Sequence, residues 1–464
     1  MKRFLLLAII ASLAISYTVP VLAIEDGITT KNTIGTETKK KKVKKIKPTL
    51  NKYDYVNLSW WKNFDDEYLN SYIIRALENN KDLKMATLTI DEFYQNIISQ
   101  RSAQMPNINV GFLPGLADIG NGSTDSYAFP IFASYELDIY GKNSNKTDSV
   151  RKLWESSILD ERAAYISIVS AVGSAYINIV KLDAMIDLQE DIVKLRKEIF
   201  EMMEISNAEG LVSTSDLVKA NQAYISGVTD LTEMKKSRTK LLHHLAVLTG
   251  DSPNNIEEYK RADYKVLAFQ GSIPETVSSE IIMQRPDYLK AEKMLEKAGI
   301  DVKVARKECL PAINLGGLVF FNAQNIGSLF TTSNALWGIG GGLLHPIFAG
   351  GCLKSNLKAK KVAYERSLKN YEKVNLTSMQ EVNDSLVTVN MDKEKLAKQK
   401  EIQNLEKKDF ELTKLKYSEG VIAKLDLNQR EENLLNVNKM IYASEFDCMI
   451  DYISYYKAVG AQTL

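Results

Sequence analysis

The chain has 464 residues, with 59 Lys and Arg against 58 Asp and Glu. That balance leaves no electrostatic footprint for nucleic acid, and the length exceeds one ordinary compact core, so two domains or one elongated body are expected. The three cysteines, Cys309, Cys352 and Cys448, lie far apart without metal-ligand spacing and read as packed thiols rather than a disulfide framework.

The chain opens with a positive pair, Lys2 and Arg3, then an apolar run from Phe4 to Ile15 and the small-residue pattern Val21-Leu22-Ala23. Residues 1–23 therefore read as a secretory signal peptide removed after Ala23. The residue directly after that point is Ile24 and not a cysteine, so lipid attachment there is not expected. Residues 24–57 form a Lys-rich linker containing KKKKVKKIK, Lys39 to Lys47. Such a run is either a solvated tail or a contact for an anionic envelope surface.

Short helices are predicted over Glu67 to Ser102. Two strands follow, in MPNINVGFLPG and DSYAFPIFASYELDIYG. In the second, Tyr127, Phe129, Ile131, Ala133, Tyr135, Leu137 and Ile139 alternate with positions that include Ser126, Ser134, Glu136 and Asp138. A long helix is predicted over Asn143 to Asn207, about 95 Å if continuous. Its most apolar window, Ala163 to Val180, carries Tyr165, Val169, Val172, Tyr176 and Ile179 at steps of four and three. That is a packing seam, not the all-round apolar surface of a lipid span. The helix stops at Glu209-Gly210, and another long helix follows.

The pattern then recurs. A short helix pair is again predicted, over Pro286 to Glu308, and strands in LPAINLGGLVFF and NALWGIGGGLLHPIF. In the last of these Trp337, Ile339 and Leu343 share one face and small residues dominate the other, while Ile313, Leu315, Val319 and Phe321 alternate less cleanly in the strand before it. The next long helix keeps a seven-residue rhythm through Met379, Val382, Leu386, Val389 and Leu396, which asks for coiled-coil-like packing. It breaks at Glu419-Gly420. Asp82 stands opposite Asp287 and Pro106 opposite Pro311 at an offset of 205, Ile139 opposite Ile347, and Gly210 and Asp216 opposite Gly420 and Asp426 at an offset of 210. Ordered matches with so small a drift point to internal duplication. The first repeat is assigned to residues 58–270, with a hairpin at 107–140 and a tip turn near 207–216. The second is assigned to 271–464, with a hairpin at 311–348 and a tip turn near 417–426.

Period-two strands of this length fit the wall of a transmembrane β-barrel, and equally a half-buried soluble sheet. If they cross a membrane, four strands cannot close by themselves, because unpaired edge groups are too costly in hydrocarbon; several copies must then share one barrel. The fold class expected is mainly α with a β-barrel portion.

The stretches SWWKNFDDEYLNSYIIRAL, ASYELDIYGK, QRPDYLKAE, HPIFAGG and YSEGVIAKLDL, in their order, resemble the outer-membrane efflux protein family, the TolC-like channel-tunnels. The likeness is greatest to the lipoprotein branch around OprM and NodT, and covers roughly Leu58 to the C-terminus. It implies a homotrimer in which each chain gives four strands to a shared outer-membrane β-barrel and its long helices to a periplasmic α-barrel. It further implies a passive exit duct coupled to an inner-membrane pump through a periplasmic adaptor. The chain departs from that branch in having no cysteine directly after the signal.

By position, the resemblance places Asp216, Tyr417, Leu425, Asp426 and Gln429 at the periplasmic gate and Gly210 and Gly420 in the tip turns. Gln429 stands where related channels often carry an acid, which weakens a cation-binding ring. Three copies of one Asp would favour cation entry at a narrow mouth. Asp216 and Asp426 equally suit capping of the returning helices, since a carboxylate there satisfies free N–H groups.

No catalytic constellation appears. His243 and His244 lie near a helix end and read as packed or solvated; His345 follows a strand; GIGGGL has Leu343 in place of a third glycine. No enzyme activity, cofactor or metal is expected. The rival readings are a periplasmic coiled-coil adaptor, disfavoured by duplication of the whole helix–strand–helix pattern, and a structural envelope protein built of long helices.

Overall fold

A computed structural model of the chain describes residues 60–118, 123–271, 273–274 and 277–460. The expected signal peptide and Lys-rich linker lie outside the described residues. Helix α1 (Glu67–Asn79) starts where the Asp66 carboxylate accepts the Tyr68 N–H at 2.7 Å. Helix α2 (Lys81–Ser102) starts where the Asn80 side chain accepts the Leu83 N–H at 3.1 Å. Both side chains satisfy donors that a helix start leaves free.

The strands form one antiparallel sheet in the order β1–β3–β4–β5. β1 (Asn107–Val110) and β2 (Leu113–Asp118) both pair with β3 (Ser123–Leu137), so together they make one interrupted strand. The interruption sits opposite Pro130, which has no N–H to give, and there Gly111 donates its own N–H to the Pro130 carbonyl at 2.9 Å. A Cβ on Gly111 would meet the proline ring at 3.2 Å. β4 (Ala312–Ala323) pairs with β3 on one side and with β5 (Ala335–Leu344) on the other. The two hairpins fall inside their expected ranges, and the β3–β4 pairing joins one repeat to the other.

Register fixes the faces, since successive residues point to opposite sides. Ile108, Phe129, Ile131, Leu137, Ile313, Val319, Phe321, Trp337, Ile339 and Leu343 share one side. Asn107, Asn109, Ser134, Glu136, Asn314, Gly316, Gly338, Gly340 and Gly342 share the other. Phe132, Leu318, Phe320 and Leu336 also fall on the polar side, so the alternation is incomplete there. At their free edges β1, β2 and β5 have no strand partner among the described residues.

Each hairpin leads into a helix of 67 residues, α3 (Lys142–Ala208) and α7 (Cys352–Ser418). Both follow a left-handed glycine, Gly141 at φ 67° and Gly351 at φ 82°, and each runs about 100 Å at roughly 1.5 Å per residue. Neither holds a proline; α7 has no glycine, and the single glycine of α3, Gly173, lies where a Cβ would meet Trp60 and Ile453 at 3.2 Å. Helices α4 (Thr214–Thr249) and α8 (Lys424–Ala458) return from the far ends. Before the second hairpin lie a one-turn helix, α5 (Ser279–Ile282), and α6 (Pro286–Lys307). The duplicated frame is thus preserved, but the pair expected over Pro286 to Glu308 is one helix, α6, and the counterpart of α1 is the much shorter α5 before it. Below the sheet the helices lie side by side as α2–α3–α6–α7, with α2 and α7 at the edges.

The core sits midway along the long helices. Val169, Val172, Tyr176 and Ile179 of the α3 seam are buried with Trp60, Phe64, Leu69, Ile73, Ile453 and Tyr456, and Trp60 stacks on Tyr456 at 5.5 Å. The window Ala163 to Val180 is therefore a packing seam. Of the α7 heptad positions, Val382 and Val389 are buried and Leu386 packs against them, but Met379 is exposed. Cys448 is buried and Cys309 half-buried, whereas Cys352 is exposed, contrary to its reading as a packed thiol; it stands in the first turn of α7, where no helix covers it.

Candidate functional site

Both far ends turn by the same chemistry. At the first, Gly210 donates to the Asn207 carbonyl at 3.0 Å and Leu211 to the Ser206 carbonyl at 2.8 Å. At the second, Gly420 donates to the Tyr417 carbonyl at 3.0 Å and Val421 to the Lys416 carbonyl at 2.9 Å. These paired bonds close a helix through a left-handed residue, and Gly210 (φ 73°) and Gly420 (φ 76°) supply it without a Cβ clash.

At the starts of the returning helices the two aspartates singled out in the sequence take different parts: Ser213, not Asp216, caps the first, whereas the Asp426 carboxylate accepts a backbone N–H at the second. Ser213 Oγ accepts the Asp216 N–H at 3.1 Å and donates to Asp216 Oδ2 at 2.8 Å, while Lys219 Nζ lies 3.2 Å from Asp216 Oδ1. The Ser213 hydroxyl foremost, and then Lys219, hold the Asp216 carboxyl below the usual carboxylate range. In the second turn Ala423 replaces the serine, and Asp426 Oδ2 accepts the Ala423 N–H at 3.2 Å. Tyr417 is exposed with Lys424 Nζ 5.7 Å from its ring centre; Leu425 is half-buried; Asp426 and Gln429 are exposed. The structure thus groups Tyr417, Leu425, Asp426 and Gln429 on the second hairpin and leaves Asp216 on the first. Among the described residues no hydrogen bond or ion pair joins Asp216 to the other four.

What does join the two hairpins lies further up and was missed in the sequence. Arg196 on α3 meets Glu432 on α8 at 2.7 Å. Gln189 on α3 accepts from Lys439 Nζ at 2.8 Å and donates to the Gly227 carbonyl of α4 at 3.0 Å. Lys181 on α3 meets Asp447 on α8 at 2.6 Å. The members descend α3 at 196, 189 and 181 and climb α8 at 432, 439 and 447, so they recur at helical-face spacing on two antiparallel helices. Burial and the charge of Arg196 hold the Lys439 ammonium below its ordinary range.

One turn above the last rung lies a carboxyl pair. Burial, a hydrogen bond with Asp392 and the charges of Asp392 and Asp447 push Asp451 up to about 7, with Lys395 opposing. The adjacent Cys448 thiol is raised to about 11, chiefly by burial. No reacting group faces an enclosed cleft at these positions. What the arrangement offers is mechanical: two hairpin tips closed through left-handed glycines, with polar rungs above them that tie α3 to α8.

A sequence profile described as outer membrane efflux protein matches residues 72–251 and 277–461. The chain is 25% identical over 411 residues to the toluene efflux pump outer membrane protein TtgC of Pseudomonas putida, covering 86% of this chain and 84% of that one. It is 25% identical over 411 residues to the cation efflux system protein CusC of Escherichia coli O157:H7, covering 88% and 89%. Among solved structures, the CmeC outer membrane channel of Campylobacter jejuni superposes with a TM-score of 0.80 at 24% identity, over 94% of this chain and 93% of that one. The open state of the Neisseria gonorrhoeae MtrE outer membrane channel gives 0.76 at 24% identity, over 85% and 89%.

Proposed function

Because this chain belongs to the outer membrane efflux protein family, we propose that it acts as a passive, trimeric exit duct of a tripartite efflux or secretion system. Three copies of the four-position sheet make a closed twelve-stranded barrel in the outer membrane, and three sets of long helices make the periplasmic tunnel beneath it. Substrate enters from an inner-membrane pump through a periplasmic adaptor docked at the helix tips, and no chemistry is done on it. Residues 1–23 direct export, and the repeats 58–270 and 271–464 each give one hairpin and one helical pair.

The observation that carries this reading is a sheet with one apolar face and two open edges. Strands of 15, 12 and 10 residues reach the roughly 9–11 needed to cross hydrocarbon. In hydrocarbon an unpaired edge costs several kcal/mol per group, so the edges require partners, and an identical chain presents both kinds. A periplasmic adaptor or structural envelope protein has no use for such a face.

In the gate reading, the second hairpin closes the tunnel mouth with Asp426, Leu425 and Tyr417, and the polar rungs to α3 hold it there. Asp216 and Gly210 shape the outer tip, Gly420 the inner one, and Gln429 lines the mouth without adding charge. The test is envelope fractionation followed by single-channel recording of the purified full-length protein. The expected result is an outer-membrane protein that conducts ions, with conductance or cation block altered in Asp426→Ala. A periplasmic protein silent in bilayers would overturn the function, and an unaltered Asp426→Ala channel would remove that residue from the gate.

A further inference from the structure

Between β5 and α7 the chain carries two apolar residues with almost no cover: Ile347 is 97% exposed and Phe348 89%. Immediately beneath, the first turns of α7 hold Lys354, Lys358, Lys360, Lys361 and Arg366, with Glu365 the sole acid from Cys352 to Arg366. Lys354, Lys358 and Lys361 follow i, i+4, i+7 spacing, so they share one face, and all three are exposed. They span about 10 Å along the axis, about one Debye length. None of the five cations makes an ion pair among the described residues.

The first repeat supplies the comparison. Its α3 starts 210 residues earlier, below the apolar pair Ile139 and Tyr140, which are 59% and 42% exposed. There the positions matching Lys354, Lys358 and Lys361 are Ser144, Asp148 and Arg151, and Arg151 is paired with Asp148 at 2.7 Å. The other cations of that first turn are also neutralised, Lys142 by Glu136 at 2.5 Å and Lys146 by Glu308 at 3.0 Å. One frame, written twice, therefore leaves its cations unpaired, among the described residues, where the apolar pair is the more exposed of the two.

We propose that this face of α7, with Ile347 and Phe348 above it, binds the headgroups of anionic glycerophospholipids in the leaflet facing the periplasm. The proposal rests on the reading that the sheet spans the membrane and the helices stand below it. Ile347 and Phe348, just past the end of β5, enter the acyl boundary, and the lysines lie along the stem and raise their ammonium groups to phosphate. Attraction between uncompensated cations and an anionic leaflet is what selects the lipid.

The full-length oligomer is reconstituted in phosphatidylcholine vesicles containing spin-labelled phosphatidylglycerol or spin-labelled phosphatidylcholine, and the motionally restricted fraction is measured. We expect a preference for phosphatidylglycerol of about 3-fold or more that falls with sodium chloride. It should drop to near parity in Lys354→Gln/Lys358→Gln/Lys361→Gln and persist in the triple Lys→Arg variant. An unchanged preference in the Gln variant overturns the proposal. So does loss of preference under inorganic phosphate but not chloride of equal ionic strength, which marks a small-anion site. Loss of the oligomer in the Gln variant would assign the lysines to contacts between copies and also overturn it. The membrane reading fails separately, if neither labelled lipid shows any restricted fraction.

Discussion

Asp451 is a residue whose environment holds its carboxyl well above the usual carboxylate range. Its carboxyl is half-buried against Asp392, with Asp447 near, Lys395 opposing on α7 and Lys181 of α3 engaged by Asp447. The native state therefore holds a proton at Asp451 that the unfolded chain has released between pH 3.8 and about 7. In that window the unfolded state binds fewer protons, so this group makes stability fall as pH rises, and the loss is complete above about 7. Asp451→Asn should flatten that dependence, with an apparent melting temperature above the parent at pH 8 and a smaller gap at pH 5. A parent curve rising with pH through this window, or an unchanged one in the variant, would contradict the assignment. None of this was legible in the sequence, because the group responsible, Asp392, belongs to another helix. The bond from the Ala423 N–H to Asp426 was legible, because a carboxylate three residues past a helix start is a local signal, whereas at the first tip Ser213 takes the capping part.

At the scale of elements, the duplication was readable because its punctuation is local. Gly210 and Gly420 need a left-handed backbone, and Asp82 and Asp287 occupy the first turns of α2 and α6. The strands announced themselves by alternation, and their register confirmed which residues share a face. The break between β1 and β2 was not readable, since it depends on Pro130 across the sheet. Nor were the rungs, whose members are 236, 250 and 266 residues apart. These rungs tie α3 to α8, and so one repeat to the other. Replacing Arg196 by Met leaves Glu432 partnerless and the Ala223 carbonyl of α4 without its bond from Arg196 at 2.9 Å. The expected outcome is a larger mean conductance or more frequent opening in bilayers, with helical content retained by circular dichroism. Reduced or unaltered conductance would show that the rungs do not restrain the tips.

At the scale of the whole molecule, the long helices and the short sheet obey one constraint. Among the described residues the sheet has unpaired edges at β1/β2 and at β5, and on α7 Val362, Leu376, Val387, Met391, Ile402 and Leu405 are exposed. Apolar surface and open edges on the same elongated body are both relieved when identical copies close into a ring. The family membership places that ring in an outer membrane, where the closure becomes obligatory for the strands. The most direct test is the mass of the native full-length assembly extracted in mild detergent, measured by light scattering corrected for bound detergent. Closure of a shared barrel predicts three copies of the chain, whereas a monomer carrying a stable folded sheet would contradict it.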